Sequence, residues 1–425
     1  MAKNTSKDLR NLSIYSIYLR NHGKINTFDG LKNDLKRIKS MNFDAIWLLP
    51  VHPIGTVNKK GTLGCPYSIK DYGEINPNYG TKESFKDFID ASHKENLKVI
   101  IDVVYNHTSY DSLLYKTHPK YFIKNNKGEP ICKADDWTDV IDLDYSNRDL
   151  WKLLIDYLKE YSDLGVDGFR CDVASLVPVE FWKEAREKIA KINPNTIWLA
   201  ESVHKSFIKE LSVLGYKAYS DSELYQAFDI LYDYDIHPEY MDFIGGKISL
   251  TKYIDSVKNQ DKIYPKNYVK LRFIENHDQK RMSSLVKTMD EKINFTILSY
   301  LLKGATLVYA GQETKDTFTP SLFEKDPVNF DGTMPEYVNL INTLNTLTKD
   351  EIFKTDKVKY EVINEDLLVI RYDRDQLLAL INFSEKPISC DLNLIGNYIN
   401  ILENTVINSA KPTKINKPLI FKKIK

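Results

Sequence analysis

Four short segments of this 425-residue chain carry residue types that could do chemistry. Three of them supply carboxylates, Asp172, Glu201 and Asp278, and each follows or ends an apolar, β-branched or aromatic run. Parallel strands deliver side chains to a common rim in this way. Two carboxyl groups can break a bond to an anomeric carbon, because one protonates the leaving oxygen and the other attacks or stabilises the cationic centre. The segments are DVVYNHT at 102–108, GFRCDV at 168–173, AES at 200–202 and FIENHD at 273–278.

The neighbours of these carboxylates indicate different roles. Arg170 lies two residues before Asp172, on the same side of a strand, where its charge would keep the aspartate ionised as a nucleophile requires. Glu201 ends an apolar run, a setting that raises the pKa of a carboxylic acid and suits proton donation. Asp278 adds a third carboxylate beside a neutral hydrogen-bonding partner, His277. Retaining glycosidases hold the reacting pair roughly 5 Å apart, so one small pocket could contain both.

The overall charge excludes some partners. Lys+Arg and Asp+Glu number 59 each, so no net field favours nucleic acid or an anionic membrane. We find no run of about 18 apolar residues, the length that a membrane span requires. The first residues lack an apolar stretch followed by a small-residue cleavage site, so we expect no signal peptide and a cytoplasmic location. The oligomeric state stays open.

The four cysteines stand far apart in the sequence. They show neither a C-x-x-C pair nor the Cys/His spacing of a zinc site. Reduced thiols in a cytoplasmic protein are therefore expected. Cys171 lies between Arg170 and Asp172 and should point away from both, since successive strand residues face opposite sides.

The pattern between residues 10 and 315 alternates strands with amphipathic helices. Eight strand–helix units predict an α/β fold, a (β/α)8 TIM barrel with its reactive groups at the carboxyl ends of the strands. A doubly wound open sheet is the alternative, but no glycine-rich phosphate loop supports it. Thr27, Thr81 and Asn147 are expected to cap helices. The predicted strands span 12–18, 44–49, 98–104, 166–171, 196–200, 218–220, 269–274 and 306–310.

Two regions depart from this alternation of strands and helices. Residues 108–146 are irregular and rich in Asp and Lys, which predicts a short inserted subdomain after the third strand. After about residue 350 short alternating stretches predict an all-β sandwich domain. The predicted domains are a catalytic barrel at 1–107 and 147–349, the insert at 108–146 and a C-terminal domain at 350–425.

The four segments, in this order, resemble the motifs of the α-amylase family, glycoside hydrolase family 13. That family's motifs read D-x-x-x-N-H, G-F-R-x-D, a strand-end Glu and N-H-D. IWLLPVHPIG at 46–55, PYSIKDYGEINPNYGT at 66–81 and GATLVYAGQE at 304–313 extend the resemblance to about residues 12–313. Four motifs in order are a specific signal, whereas each alone is weak. The chain is similar to an intracellular α-amylase or α-glucosidase.

The resemblance implies roles for the motif residues. Asp172 would be the nucleophile that forms a covalent glycosyl intermediate, Glu201 the general acid and then base, and Asp278 the group that holds the sugar in a distorted form. Contacts that bind or support substrate binding are implied for Tyr67, His107, Arg170, His277 and Asp102. Trp137 and Trp182 are weaker candidates for sugar platforms. We interpret four further acids as solvated or turn residues: Asp135, Asp136, Asp142 and Asp144.

The resemblance gives a mixed indication about calcium. Asn106 matches a family calcium ligand, which an acid of the insert could join. Many relatives follow the nucleophile with a Lys–His pair that contributes to calcium and substrate binding, whereas this chain has Ser175 and Leu176 there. We therefore expect no required cofactor, and a calcium site at Asn106 is the weaker alternative.

Two residues give conflicting hints about specificity. Ser68 stands where relatives that remove single glucose units have an aspartate, which favours internal or oligosaccharide cleavage. Val173 resembles relatives that act on α-1,6 branches. We interpret the chain as a retaining hydrolase of α-glucosidic, mainly α-1,4, bonds in maltooligosaccharides or starch-like glucans. The alternatives are a transglycosylase or isomerase (glucanotransferase or trehalose-synthase type), an α-1,6-active oligosaccharide glucosidase, and an inactive sugar-binding relative.

Overall fold

Eight of the strands close into a barrel in the computed structural model, which describes residues 4–391, 394–407 and 413–424. In chain order the strands are β1 (Ser13–Ile17), β2 (Ala45–Leu48), β3 (Lys98–Val103), β4 (His107–Ser109), β5 (Val140–Asp142), β6 (Gly168–Cys171), β7 (Ile197–Ala200), β8 (Ile230–Tyr232), β9 (Val269–Arg272), β10 (Ala305–Tyr309), β11 (Val358–Ile363), β12 (Leu367–Tyr372), β13 (Leu377–Asn382), β14 (Ile388–Cys390), β15 (Asn397–Asn400), β16 (Thr405–Ile407), β17 (Thr413–Ile415) and β18 (Leu419–Ile424). The closed order is β1-β10-β9-β8-β7-β6-β3-β2, with every pair parallel. The predicted TIM barrel is confirmed.

Most of the helices cover the outside of the barrel, and the helix at Leu113–Thr117 belongs to the insert. They are α1 (Phe28–Ser40), α2 (Lys82–Lys94), α3 (Leu113–Thr117), α4 (Arg148–Asp163), α5 (Val179–Ile189), α6 (Lys205–Val213), α7 (Asp221–Leu224), α8 (His237–Ile244), α9 (Leu250–Ile263), α10 (Met282–Leu285), α11 (Met289–Leu301) and α12 (Pro335–Leu347). Thr27, Thr81 and Asn147 cap α1, α2 and α4 as expected, each accepting a backbone N–H of the first turn. In the described part of the chain, each helix is too short or too polar to cross a bilayer.

Alternating side chains divide the core into two layers. Ile14, Trp47 and Leu271 belong to a cluster that fills the barrel, whereas Tyr15 and Ile46 belong to the cluster beneath the helices. Neighbouring strand residues therefore face opposite sides, as the pleat requires. Cys171 lies in the outer cluster, away from Arg170, which confirms its predicted direction. All four cysteines are free thiols.

The sixth barrel strand lies at a different place from the one predicted. The prediction at residues 218–220 is wrong, and β8 supplies the strand instead. Ser220 forms a capping box with Glu223 and begins α7, so this stretch leads into a helix rather than a sheet. β8 is only three residues long, too short for a strand periodicity to show in the sequence.

The insert folds over the carboxyl end of β3. Its strands β4 and β5 form a small antiparallel ladder that places His107 opposite Asp142. The two ends of the insert are thus joined directly above the barrel rim. The predicted insert is confirmed, while the exact domain boundaries stay predictions.

The C-terminal region is all-β, as predicted. A six-stranded antiparallel sheet runs in the order β11-β12-β13-β18-β15-β16. One face packs on the barrel through Leu368, Ile370 and Ala379, and the other packs against the two-stranded ribbon of β14 and β17 through Val369 and Leu380. The ribbon makes the second layer of the predicted sandwich. Residues 392–393, 408–412 and 425 of that predicted domain lie outside the described residues.

Candidate active site

One arginine gathers three carboxylates at the carboxyl ends of the strands. The pairing of β3 with β6 places Asp102 beside Arg170. Arg170 Nη1 donates to Asp102 Oδ1 at 2.8 Å and to Asp172 Oδ1 at 2.9 Å. Its Nη2 lies 2.9 Å from Glu201 Oε2, just past the end of β7. Carboxyl groups that are far apart in sequence therefore meet around one guanidinium.

Aromatic rings fix that guanidinium in place. Its carbon lies 5.1 Å from the ring centre of Trp47, 5.6 Å from that of Tyr67 and 5.3 Å from that of Tyr232. Arg170 Nε also donates to the Tyr232 hydroxyl at 3.3 Å. Cation–π contacts with buried rings stabilise a charge that has lost its water. Sequence reasoning missed Trp47 and Tyr232, which look like ordinary apolar strand residues.

Burial raises the pKa of all three carboxyl groups. The pKa of Asp102 and that of Asp172 rise to about 7, and the pKa of Glu201 rises to about 8. Burial is the largest cause in each, neighbouring carboxylates add to it, and Arg170 opposes it. The expectation that Arg170 keeps Asp172 ionised is thus only partly met. One cation does not offset three buried carboxyl groups, so the pKa of each stays above its ordinary value.

A strained turn holds Glu201. Val173 directly follows Asp172 and has φ +35°, a left-handed conformation that β-branched residues rarely adopt. This turn directs the Val173 N–H to Glu201 Oε2 at 2.8 Å. Oε2 is therefore bonded to both Val173 and Arg170, while Oε1 has no protein donor within the described residues. Strain of this kind persists where the surrounding structure enforces a functional geometry.

Tyr67 and His277 form the next part of the site. Their rings stack with centres 5.5 Å apart and planes inclined by 15°. The Tyr67 hydroxyl donates to Asp102 Oδ2 at 3.0 Å and accepts from His277 Nε2 at 2.7 Å. The same Nε2 lies 3.2 Å from Asp278 Oδ2. Burial lowers the pKa of His277 to about 4, so the ring is neutral at pH 7.

His107 faces the nucleophile from the first position of β4. Its Nε2 lies 3.9 Å from Asp172 Oδ2, and its ring meets Trp137 edge-on at 5.2 Å. Burial lowers the pKa of His107 to about 4. Trp182 is instead fully buried, with Nε1 donating to the Ala174 carbonyl, so it packs in the core and offers no platform.

These groups surround a cavity of about 310 Å³. Six predicted site residues line it: Tyr67, His107, Asp172, Glu201, His277 and Asp278. Asp102 and Arg170 lie behind its wall and support the lining residues. Sequence reasoning missed Lys60, Asp139 and Phe323, which also line the cavity. They lie on irregular loops, whose paths no periodicity indicates.

The predicted metal ligand Asn106 lies beside a lysine. Lys133 Nζ donates to Asn106 Oδ1 at 3.0 Å, and Asn106 Nδ2 lies 3.2 Å from Asp142 Oδ1. Calcium takes about six to eight oxygen ligands. Within residues 4–391, 394–407 and 413–424, no group of three or more His, Cys, Asp or Glu is arranged to hold a metal. The residues here do not fit calcium. Asp142, interpreted above as solvated, is fully buried in β5.

Fold and site together define the class: a parallel (β/α)8 barrel with a carboxylate-lined sugar-sized pocket at the carboxyl end of its strands, as in many glycosidases. The sequence model of the alpha-amylase catalytic domain matches residues 16–138 and 133–334. The chain belongs to the alpha-amylase family.

Individual relatives agree with this assignment. An alpha-amylase from Lactobacillus plantarum is 40% identical, with a TM-score of 0.95 over 99% of this chain and 100% of that one. A noncanonic maltogenic alpha-amylase, AmyB from Thermotoga neapolitana, is 33% identical, with a TM-score of 0.84 over 97% of this chain and 99% of that one. Alpha-amylase 3 from Dictyoglomus thermophilum is 24% identical over 72% of this chain. The chain spans 64% of that relative's length.

Proposed function

We propose that this protein is a retaining glycoside hydrolase that cleaves α-glucosidic, mainly α-1,4, bonds in maltooligosaccharides or starch-like glucans. The observation that carries the proposal is the contact of one guanidinium with Asp102, Asp172 and Glu201 beside a cavity of about 310 Å³. We further propose that it works in the cytoplasm and requires no cofactor.

Asp172 is the proposed nucleophile. Arg170 binds its Oδ1, which leaves Oδ2 at the cavity side without a hydrogen bond in the described chain. Attack of Oδ2 on the anomeric carbon breaks the bond to the leaving glycosyl oxygen and forms a covalent glycosyl ester. Arg170 positions the carboxylate and lowers its pKa against the effect of burial.

Glu201 is the proposed general acid and base. With a pKa of about 8 it is protonated at neutral pH, and the Oε1 atom remains for that proton because Oε2 is already bonded twice. It protonates the leaving oxygen and then, as a carboxylate, takes a proton from the water that hydrolyses the ester.

The remaining lining residues are proposed to hold the sugar. Asp278 would bind ring hydroxyls and favour the cation-like transition state with its negative charge. His277 is neutral, so it does not repel positive charge that develops on the sugar, and its one N–H is donated to Tyr67 and holds that ring at the cavity wall. Tyr67 and His107 complete the walls of the cavity.

Hydrogen bonds join the loops around the cavity to one another. Leu63 N–H donates to the Phe323 carbonyl at 3.1 Å, and Arg20 joins the same loops through the carbonyls of Gly64 and Leu322. This bonding fixes the loops that carry Lys60 and Phe323 at the cavity. Ser68 is buried and donates to the Asp139 carbonyl, so it ties the insert down rather than facing substrate.

Product analysis tests the proposal. The protein is incubated with maltose, isomaltose, panose, maltoheptaose and soluble starch, and the products are separated by chromatography. We expect new reducing ends from maltoheptaose and little release from isomaltose. Size-redistributed chains without new reducing ends would instead identify a transglycosylase, and preferred cleavage of isomaltose an α-1,6-active glucosidase.

A further inference from the structure

The place that the family resemblance gives to calcium contains an ammonium group of the protein itself. We propose that Lys133 is a built-in cation that replaces the metal: it joins the insert to the end of β3 and so positions His107. The proposed role of His107 in sugar binding is the part of this inference that rests on the proposed function.

Lys133 has the contacts of a bound cation. Its Nζ lies 3.0 Å from Asn106 Oδ1 and 3.5 Å from Asp142 Oδ2, and its backbone N–H donates to the same Oδ2 at 2.9 Å. The Lys133 side chain is 10% exposed and that of Asp142 is 1% exposed. A buried carboxylate is costly unless a charge and hydrogen bonds compensate it. Lys133 supplies that compensation for Asp142.

The effect reaches the active site through adjacent groups. Asn106 Nδ2 bonds Asp142 Oδ1 and lies 3.1 Å from His107 Nδ1, which accepts in the tautomer protonated at Nε2. The β4–β5 ladder also places His107 directly opposite Asp142. The protonated Nε2 then lies 3.9 Å from Asp172 Oδ2, in a ring that lines the cavity. Lys133 is thus a positioning residue, which acts on substrate through Asn106 and His107.

The same contacts oppose a divalent ion. Asn106 Oδ1 and Asp142 Oδ2 both already bond the lysine. A calcium ion at these oxygens would lie beside the ammonium group and be repelled by it. One ammonium also matches the one carboxylate present, which leaves no excess negative charge to attract a second cation.

The first test needs no activity. Calcium is titrated into the wild-type protein in a calorimeter, and the Tm is measured with chelator and with millimolar calcium. We expect no saturable heat and the same Tm in both conditions. Saturable calcium binding that raises the Tm would overturn the proposal. Because neither reading uses substrate, this arm stays valid even if the proposed hydrolysis fails.

The second test separates positioning from general stabilisation. We compare Lys133→Met with Lys127→Met, an exposed lysine of the same insert, at a temperature where circular dichroism shows both variants folded. We expect K133M to lose roughly tenfold or more in kcat/KM, K127M to match the wild type, and Lys133→Arg to recover most of the loss. If K133M fails to fold, the kcat/KM of K133R and the calcium titration still test the proposal.

A double-mutant cycle identifies the route. In a His107→Asn background, K133M should lower kcat/KM by only a small fraction of the loss it causes in the wild type, because the imidazole that Lys133 positions is absent. Fully additive losses, or a K133M variant that behaves like K127M, would contradict the assignment.

Discussion

Two clusters of buried charge lie on opposite faces of the barrel wall, and they behave differently. The catalytic cluster lies inside the rim and consists of Arg170, Asp102, Asp172 and Glu201. The outer cluster lies on the other side of β9, beneath α9, and consists of Lys270, Arg272, Asp221, Asp233 and Asp235. All of these residues are buried except Asp233, whose side chain is 14% exposed. Burial alone therefore does not distinguish a reactive site from a structural one.

The outer cluster is nearly balanced and closely packed. Arg272 Nη1 lies 2.6 Å from Asp233 Oδ2, and Lys270 Nζ lies 2.7 Å from Asp235 Oδ1. The Gln260 amide joins the two pairs, donating to Asp233 at 2.7 Å and accepting from Arg272 at 2.9 Å. Burial raises the pKa of Asp233 although Arg272 opposes it, whereas burial is outweighed at Asp235, whose pKa Lys270 and hydrogen bonds from Gln260 and Tyr264 hold below its ordinary value. The adjacent cavity is only about 20 Å³.

The difference lies in charge balance and space. The outer cluster has two cations for three acids, whereas the catalytic cluster has one. The catalytic acids also border a cavity of about 310 Å³. The excess of negative charge in the catalytic cluster keeps the pKa values of its acids high. The open cavity lets substrate reach these acids. These two properties together make the inner cluster reactive.

The largest expected effect is on activity at the inner cluster. Asp172→Asn should lower kcat by roughly 10⁴-fold or more, because the amide cannot form the glycosyl ester. Asp235→Asn in the outer cluster should leave the kcat of the folded protein unchanged. Steady-state kinetics on maltoheptaose measures both. A D172N variant with more than a hundredth of wild-type kcat would contradict the assigned nucleophile.

The next effect is on stability, with opposite signs in the two clusters. Asp235→Asn should lower the free energy of unfolding by about 3–5 kcal/mol, because Lys270 loses a buried partner. Glu201→Gln should instead raise the Tm while removing most activity. Denaturation in urea and heat measures both changes. Equal losses of unfolding free energy in D235N and E201Q would contradict the proposed difference between the clusters.

The sign for Glu201 follows from its pKa. Its folded value of about 8 lies above the ordinary value, so its contribution to stability is complete below the unfolded pKa and is lost as pH rises through about 8. The Tm advantage of E201Q should therefore grow up to about pH 8 and then level off. An advantage that shrinks over this range would show that Glu201 is not buried as a neutral acid.

A smaller effect is expected in the pH dependence of the wild type. Asp172 must be ionised and Glu201 protonated, so kcat/KM should rise through about pH 7 and fall above about pH 8. The two limbs belong to the coupled pair rather than to single residues. Initial rates on a chromogenic maltooligosaccharide measure the profile. A maximum near pH 5 would mean that the cluster holds no proton at neutral pH.

The smallest effect is expected at the cavity wall. Asp139 is buried, its Oδ1 lies 3.4 Å from Lys60 Nζ, and its Oδ2 has no partner within the described residues. Because Asp139 lines the cavity and pairs with Lys60, which also lines it, Asp139→Asn should raise KM roughly threefold to tenfold with little change in kcat. Asp135→Asn, on the exposed surface of the same insert, serves as the control. Identical KM values for both variants would exclude Asp139 from substrate binding.

Sequence reasoning reached the fold and the motif residues because both leave local patterns. Strand-end motifs such as that of Asp172 follow apolar runs, and caps such as Thr27 precede helical periodicity. Asp139 and Lys133 leave no such pattern, since their neighbours are set by loop paths and by residues distant in sequence. The misplaced sixth strand is a different case, because the capping box of Ser220 and Glu223 is a local signal that residues 218–220 lead into a helix.

Trapping the covalent intermediate tests the central claim most directly. A 5-fluoro-α-glucosyl fluoride provides a good leaving group while the ring fluorine slows hydrolysis of the ester, so the intermediate accumulates. Mass spectrometry of the digested protein should find one fluoroglucosyl group on Asp172 in the wild type and none in D172N. A label on another residue, or cleavage of maltoheptaose with inverted anomeric configuration, would contradict the account.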